Sequence, residues 1–262
     1  MLRSREIVHL ASASVLALAL AAVVPAARAA EGGEAPEWKG YAGAGGLAFP
    51  RYAGSRSVEA LPVPLLTFEY REVVYVDLLR AGVRFWSSAD RKLALGVAAE
   101  PRFGHRAGDS LRLAGTARRR DSIEAGPTLE WETPVASLSL AWFGDATRAS
   151  GGTSLRAALY RQVVDSARWD VGVYAALDRT DARATNFYFG VRPEEAAAAR
   201  PAYQPGSTTH ASIGISAALS FGVRHALLFG AQGTRLGGAA AASPIVETRR
   251  APMGYVGLGW RL

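Results

Sequence analysis

The sequence predicts an all-β protein, a single antiparallel transmembrane β-barrel of about twelve strands with short periplasmic turns and long outer loops. Three observations predict it. The last eight residues, Tyr255–Leu262, alternate strictly, with Val256, Leu258, Trp260 and Leu262 on one face and Tyr255, Gly257, Gly259 and Arg261 on the other. An apolar face against lipid and a small or polar face toward a lumen is the pattern of a membrane barrel strand. The chain also opens on an export signal, and its strand connections alternate between short and long.

The signal covers residues 1–29. Arg3 and Arg5 make a basic start, Leu10 to Val24 is apolar or small throughout, and Ala27-Arg28-Ala29 fits a small-x-small cleavage site, with the cut after Ala29 or Ala30. That apolar run is shorter than the roughly 20 residues a membrane-spanning helix needs. Residues 30–262 then form the barrel domain, and no cysteine follows the signal to carry a lipid anchor.

Beyond the signal, helical periodicity gives way to short alternating runs. They are Trp38–Ala48, Leu61–Tyr70, Val73–Leu78, Gly82–Trp86, Leu93–Phe103, Ile123–Trp131, Val135–Phe143, Leu155–Val163, Trp169–Asp178, Ser212–Phe221, His225–Arg235 and Gly254–Leu262. An even count suits a single-chain outer-membrane barrel. If the Leu79–Ala81 connection were absent and Val73–Trp86 were one kinked strand, the total would be eleven; even parity would then need another strand lost or added, and ten is the alternative. Counting back from Leu262 assigns each connection to a side. Arg71-Glu72, Ser87–Arg91, Glu132–Pro134, Val164–Arg168 and Gly222–Arg224 are short. Pro50–Ala60, His105–Ser122, Gly144–Ser154, Thr180–Thr209 and Leu236–Met253 are long. That asymmetry separates a membrane barrel from a soluble sandwich, which shares the period but not the loop pattern. Trp38, Trp86, Trp131, Trp169 and Trp260 fall at the short-turn ends, where indole suits a membrane interface.

Composition narrows the function classes. The formal net charge of +7 is almost all arginine, with Lys39 and Lys92 the only lysines, and export removes three arginines and one glutamate from it. The arginines are scattered, so nucleic acid is not an expected partner. With no cysteine there is no disulfide, thiolate metal site or thiol nucleophile. After the signal only His105, His210 and His225 remain, with no pair at metal-ligand spacing, and no serine stands in a hydrolase elbow. The expectation is therefore no catalytic, metal or cofactor-binding residue.

The inward-facing charges carry more. Period-two parity directs Arg84, Glu100, Arg102, Glu124, Glu130, Arg156, Asp170, Asp178 and Arg261 into the lumen. Mixed signs in a narrow barrel make either a salt-bridged plug or a polar pathway with charge-tuned selectivity. In the longest loop, Pro193–Arg200 reads as a short helix, with proline first, glutamates next and then alanines. This loop either caps the mouth or presents Tyr188, Phe189 and Tyr203 to a partner. Arg118-Arg119-Arg120 is either a solvated run or a contact for lipopolysaccharide phosphates.

Three stretches resemble a known family. They are Pro50–Ser55 with Leu61–Pro64, then Tyr188-Phe189-Gly190-Val191-Arg192-Pro193-Glu194-Glu195-Ala196 running on to Pro201-Ala202-Tyr203 and Gly206, and finally Ser243–Val246. In this order, on loops of one side, they resemble the MipA/OmpV family of outer-membrane proteins across the whole mature chain. The C-terminal residue departs from the usual phenylalanine, since Leu262 stands there. The resemblance implies a barrel in contact with outer-membrane lipid and lipopolysaccharide, inserted by the barrel assembly machinery. It also implies a scaffolding role linking a periplasmic murein transglycosylase to a peptidoglycan synthase. Other members are associated with adhesion, osmotic response or uptake, so a narrow pore for small solutes is the competing expectation.

Overall fold

The computed structural model describes residues 38–262, and the proposed signal segment lies outside them. Twelve strands follow one another around a closed barrel, each antiparallel to its neighbours, and β1 closes on β12. They are β1 Trp38–Pro50, β2 Val58–Tyr70, β3 Val74–Asp77, β4 Arg80–Ser87, β5 Leu93–Arg102, β6 Ser122–Glu132, β7 Ser137–Asp145, β8 Thr153–Asp165, β9 Trp169–Thr180, β10 Thr208–Phe221, β11 His225–Arg235 and β12 Arg250–Arg261. The twelve-strand expectation holds and the ten-strand alternative falls. β3 and β4 are separate strands joined at Leu78-Leu79, with Asp77 paired to Arg80.

The alternation of the sequence becomes the two faces of the wall. Leu93, Leu95 and Val97 on β5, Ile213 and Ile215 on β10, and Val256, Leu258 and Trp260 on β12 are all exposed on the outside. In a soluble protein so many exposed large apolar residues would drive aggregation; on a lipid-facing wall they are the favoured surface. Trp38, Trp86, Trp131, Trp169 and Trp260 all stand at the short-turn end of their strands. Two bulges break the strict period. Phe85 is the extra residue between the pairs Arg84↔Gly96 and Trp86↔Leu95, and Val163 is the extra one between Gln162↔Gly172 and Val164↔Val171. Each bulge lets two consecutive apolar residues, Phe85-Trp86 and Val163-Val164, stay on the outer surface.

The helix of the long loop is not where the sequence placed it. Helix α1 spans Ala182–Phe189, capped by the Asp181 carboxylate, which accepts the Ala184 N–H at 2.8 Å. Pro193–Glu195 makes only one 3₁₀ turn, and Ala197 pairs with Arg200 in an isolated bridge. Local propensity at Pro193–Arg200 loses because Glu195 and Arg200 are both drawn to partners far away in sequence, described below.

Small residues on the lumen face set how closely the strands approach. At the β1–β12 seam a Cβ on Gly257 would run into the Ala44 carbonyl oxygen, the Gly45 Cα and the Leu65 side chain. Gly257→Val is therefore expected to strain the closing seam by roughly 1–3 kcal/mol, the usual cost of overpacking. The temperature at which the folded form disappears in a gel-mobility assay should fall by several degrees. Gly46→Ala on the same seam, where an added Cβ meets nothing within 4 Å, should leave it unchanged.

Candidate functional site, a capped and charge-lined lumen

Inside the wall, two groups of charges are held by complementary partners. In the upper lumen six residues alternate in sign. Glu100 accepts from Arg80 Nη2 at 2.6 Å and from Arg156 Nη1 at 2.7 Å. Arg156 also donates to Asp178 at 2.8 Å, and Arg102 stands 3.7 Å from the same carboxylate. Arg102 closes the chain with two bonds to Glu124, at 2.6 and 2.9 Å, and Glu124 accepts a third from Ser154. The fully buried Phe143 ring lies under the Arg80 and Arg156 guanidiniums, 5.5 and 5.9 Å from their central carbons. The set joins β4, β5 and β6 to β8 and β9 with three cations and three carboxylates. Complementary charges at this distance offset most of the cost of taking each ion out of water.

Nearer the short turns, Arg84 donates to Glu69 at 2.6 Å and Glu130 at 2.7 Å and lies over the Tyr75 ring. Asp170 accepts from Gln162 at 2.9 Å. Arg261 sits over the Tyr41 ring and reaches its hydroxyl at 3.3 Å. Two members escaped the sequence reading. Arg80 fell in the stretch read as a turn, although the pair Asp77↔Arg80 makes it the first residue of a strand. Glu69 shares the face of Thr67 and Leu65, so its parity was a readable signal.

Above the lattice the long outer connections fold together. Tyr52, Leu113, Tyr188, Phe189, Val191, Leu236, Ala240, Ile245 and Val246 form one buried apolar cluster drawn from four different loops. The Tyr188 hydroxyl bonds Ser122 at 2.7 Å, and the Arg102 guanidinium lies over its ring. Phe189 packs beside His210 of β10, its ring centroid 6.0 Å away. Consecutive residues at the end of α1 thus touch the lumen faces of β5 and β6 on one side and β10 on the other. Tyr203 is half-buried against the same cluster and donates to the Ala239 carbonyl at 2.7 Å. Ser243 donates to the Phe189 carbonyl at 2.6 Å, and Tyr52 to that of Ile245 at 2.9 Å.

One buried ion pair fixes this cap. Arg119, 3% exposed, makes a two-pronged contact with Glu195 at 2.9 and 2.7 Å. It also donates to the Phe187 and Ala117 carbonyls. Glu195 in turn accepts the Ala117 and Arg192 N–H groups. Burial alone would raise the pKa of Glu195, but the Arg119 guanidinium and those N–H groups win and hold it at about 2. Arg200 donates to the Arg112, Ala114 and Glu195 carbonyls. The basic run is thereby corrected. Its middle residue is buried in the cap, and only Arg118 and Arg120 are exposed.

His105, read from sequence as a loop histidine, is buried beneath the cap. Its Nε2 lies 3.1 Å from the Tyr188 carbonyl and therefore carries the proton, which leaves Nδ1 a bare, unpartnered acceptor. Burial, the largest influence, pushes its pKa down to about 4. The sign follows from that direction. A histidine held neutral contributes its stability above pH 6.5 and loses it as the pH falls from 6.5 to 4, by up to about 3 kcal/mol. Protection of loop 181–207 from a protease active over that range should fall in step, and a flat profile from pH 7 to 4 would contradict the role given to His105.

A closed twelve-strand barrel with an apolar belt, an ion-paired lumen and a folded outer cap is an outer-membrane barrel protein. The family described as MltA-interacting protein MipA matches residues 42–262, and the chain belongs to that family. It is also similar to the outer membrane protein Omp26La of Vibrio anguillarum, 25% identical over 188 residues, covering 70% of this chain and 72% of the relative. Fold, family and relative together place the protein in the outer membrane.

Proposed function

We propose that this protein is a closed, non-enzymatic barrel that works as a scaffold at the cell envelope, holding a murein transglycosylase or its synthase partner at the periplasmic face. The observation that carries the reading is the cap. A mouth filled by a buried core from four loops, above an ion-paired lattice, is built to stay shut rather than to pass solutes. What remains available is the periplasmic rim, where the short turns expose Arg71, Arg91, Lys92, Arg168 and Arg224. The family is named for interaction with a murein enzyme, which supports a partner of that kind.

Single-channel recording of the refolded protein in a planar bilayer tests this reading. The intact barrel should be silent, and deletion of residues 184–206 should produce current by removing most of α1 and the Glu195 anchor. Steady, ion-selective steps in the intact protein would overturn it in favour of a narrow solute pore. Capture of a purified lytic transglycosylase by the intact barrel, lost when the exposed turn arginines are replaced, would support the partner.

A further inference from the structure

The wall of the barrel is incomplete on one side. β3 has four residues and pairs only with Thr67–Tyr70 of β2. β4 meets β5 only up to the pair Ala81↔Ala99. Above this short hairpin, Val58–Leu65 of β2 and Glu100–Arg102 of β5 have no strand between them, and they do not pair with each other. The result is a window in the wall. Its sill is the Leu78-Leu79 turn, fastened by the Leu78 N–H to the Leu66 carbonyl at 2.7 Å. Across its top the Phe49 and Phe103 rings stack, with centroids 5.6 Å apart.

Three prolines line this window, and the ladder shows why they are tolerated. Hydrogen-bonding direction alternates along a strand. Leu66 directs its carbonyl toward β3, so the other even residues, Pro62 and Pro64, direct their nitrogens to the same, now empty, side. On β6 the pairing with β7 lapses at Gly126 and Pro127, which puts the Pro127 nitrogen toward β7. Following the alternation to β5, Ala99 bonds toward β4, and Pro101 directs its nitrogen into the window above Ala81. An unpaired N–H in hydrocarbon costs several kcal/mol. Proline has none, so these three edge positions leave no orphan donor. The same feature blocks addition of a strand from another chain, which needs N–H groups on the edge.

The window lies within the apolar belt. The outer face of β5 remains apolar above the sill through Ala99 and Pro101, and that of β2 through Pro64, Pro62, Ala60 and Val58. Those four residues of β2, from Pro64 to Val58, span about 15 Å of height at the usual strand rise and tilt. Behind the window the lumen face of β2 presents Leu61 and Val63, while Leu65 below them is fully buried in a cluster with Tyr41, Leu228 and Leu78. Asp77, inward-facing just below the sill, keeps accessible surface although protein surrounds it, so that surface faces the enclosed lumen behind the opening.

The geometry points to a lateral binding passage that takes the acyl chain of a bilayer lipid from the outer half of the membrane into the lumen, against Leu61 and Val63 and beneath the cap. Hydrocarbon is what surrounds the opening, an apolar wall stands behind it, and its edges refuse a β-strand. This goes beyond the scaffold reading and does not depend on it.

The chain has no cysteine, so one engineered thiol reports one site. Val63→Cys, labelled with bimane in the full-length protein refolded into vesicles of phosphatidylcholine brominated on its acyl chains, should be quenched to within twofold of Pro64→Cys on the outer face. It should be quenched at least fivefold more than Ser212→Cys on the lumen face of β10. Leu61→Cys reads the same wall if a label at 63 prevents folding. Quenching of the β2 lumen sites no greater than at Ser212 overturns the passage. Aqueous iodide then tells a water-filled notch from a closed wall.

Discussion

Arg119→Ala is expected to release the outer cap while leaving the barrel folded. The substitution strands the Glu195 carboxylate, which is 5% exposed and keeps only two backbone N–H donors. It also removes the donors to the Phe187 and Ala117 carbonyls, the first at the end of α1. Breaking one side of a buried pair costs roughly 3–5 kcal/mol because the remaining charge stays desolvated. Cleavage of loop 181–207 through its open state should accelerate by about 100-fold or more, since cleavage tracks the open population when reclosing is fast. The strands should keep their gel mobility, because neither residue belongs to the wall. A compensating variant separates charge from shape. Arg119→Met with Glu195→Leu replaces both ions by apolar groups of similar length, and such swaps are often neutral or stabilising. Recovery of most of the protection in the double variant would show that the cap needs the pair matched rather than charged. Unchanged cleavage in Arg119→Ala would mean that the apolar cluster of Tyr52, Tyr188 and Ile245 holds the cap unaided.

The two levels of this architecture differ in how far the sequence exposes them. The wall is legible because lipid on one side and lumen on the other impose period two on each strand, and Trp169–Leu177 or Tyr255–Leu262 shows that constraint directly. Even the short β3–β4 hairpin could be read, since Val73–Leu78 and Gly82–Trp86 carry separate alternations. The bulges at Phe85 and Val163 could not, because a single extra residue hides inside an apolar run until the partner strand is known. The cap was misread where local propensity and long-range chemistry conflict. Pro-Glu-Glu-Ala-Ala-Ala-Ala looks helical, yet Glu195 is captured by Arg119, 76 positions away, and Arg200 by the carbonyls of Arg112 and Ala114. The true helix had a weaker signal, an aspartate cap at Asp181 before a run ending in three aromatics, Phe187, Tyr188 and Phe189. For the lumen charges, parity gives a facing direction but no partner. Arg156 lies on β8 and Glu100 on β5, and only closure of the barrel brings them within bonding distance.

That closure makes Glu100→Ala the most costly single change expected in the wall. Glu100 is the one carboxylate shared by Arg80 and Arg156. Without it Arg156 retains Asp178, whereas Arg80 keeps no ion-pair bond, only the Phe143 ring beneath it and its cross-strand neighbour Asp77. Side-chain exposures of 14% at Glu100 and 25% at Arg80 mean that water cannot fully replace the lost partner. A destabilisation of about 3 kcal/mol is expected, the lower end for an uncompensated interior charge. The midpoint of urea unfolding in lipid vesicles should fall accordingly. Arg80→Met in the same chain should restore part of the loss by removing the stranded cation. The paired measurement also separates two roles for the lattice. If the charges serve stability, Glu100→Ala unfolds earlier and the intact barrel remains silent in a bilayer. If they line a conducting path, removing a carboxylate leaves a cationic constriction, and the variant passes anions in preference to cations. The alternating order Arg80–Glu100–Arg156–Asp178–Arg102–Glu124 favours the first outcome, because every charge in it is spent on a neighbour and the sum of the six is neutral.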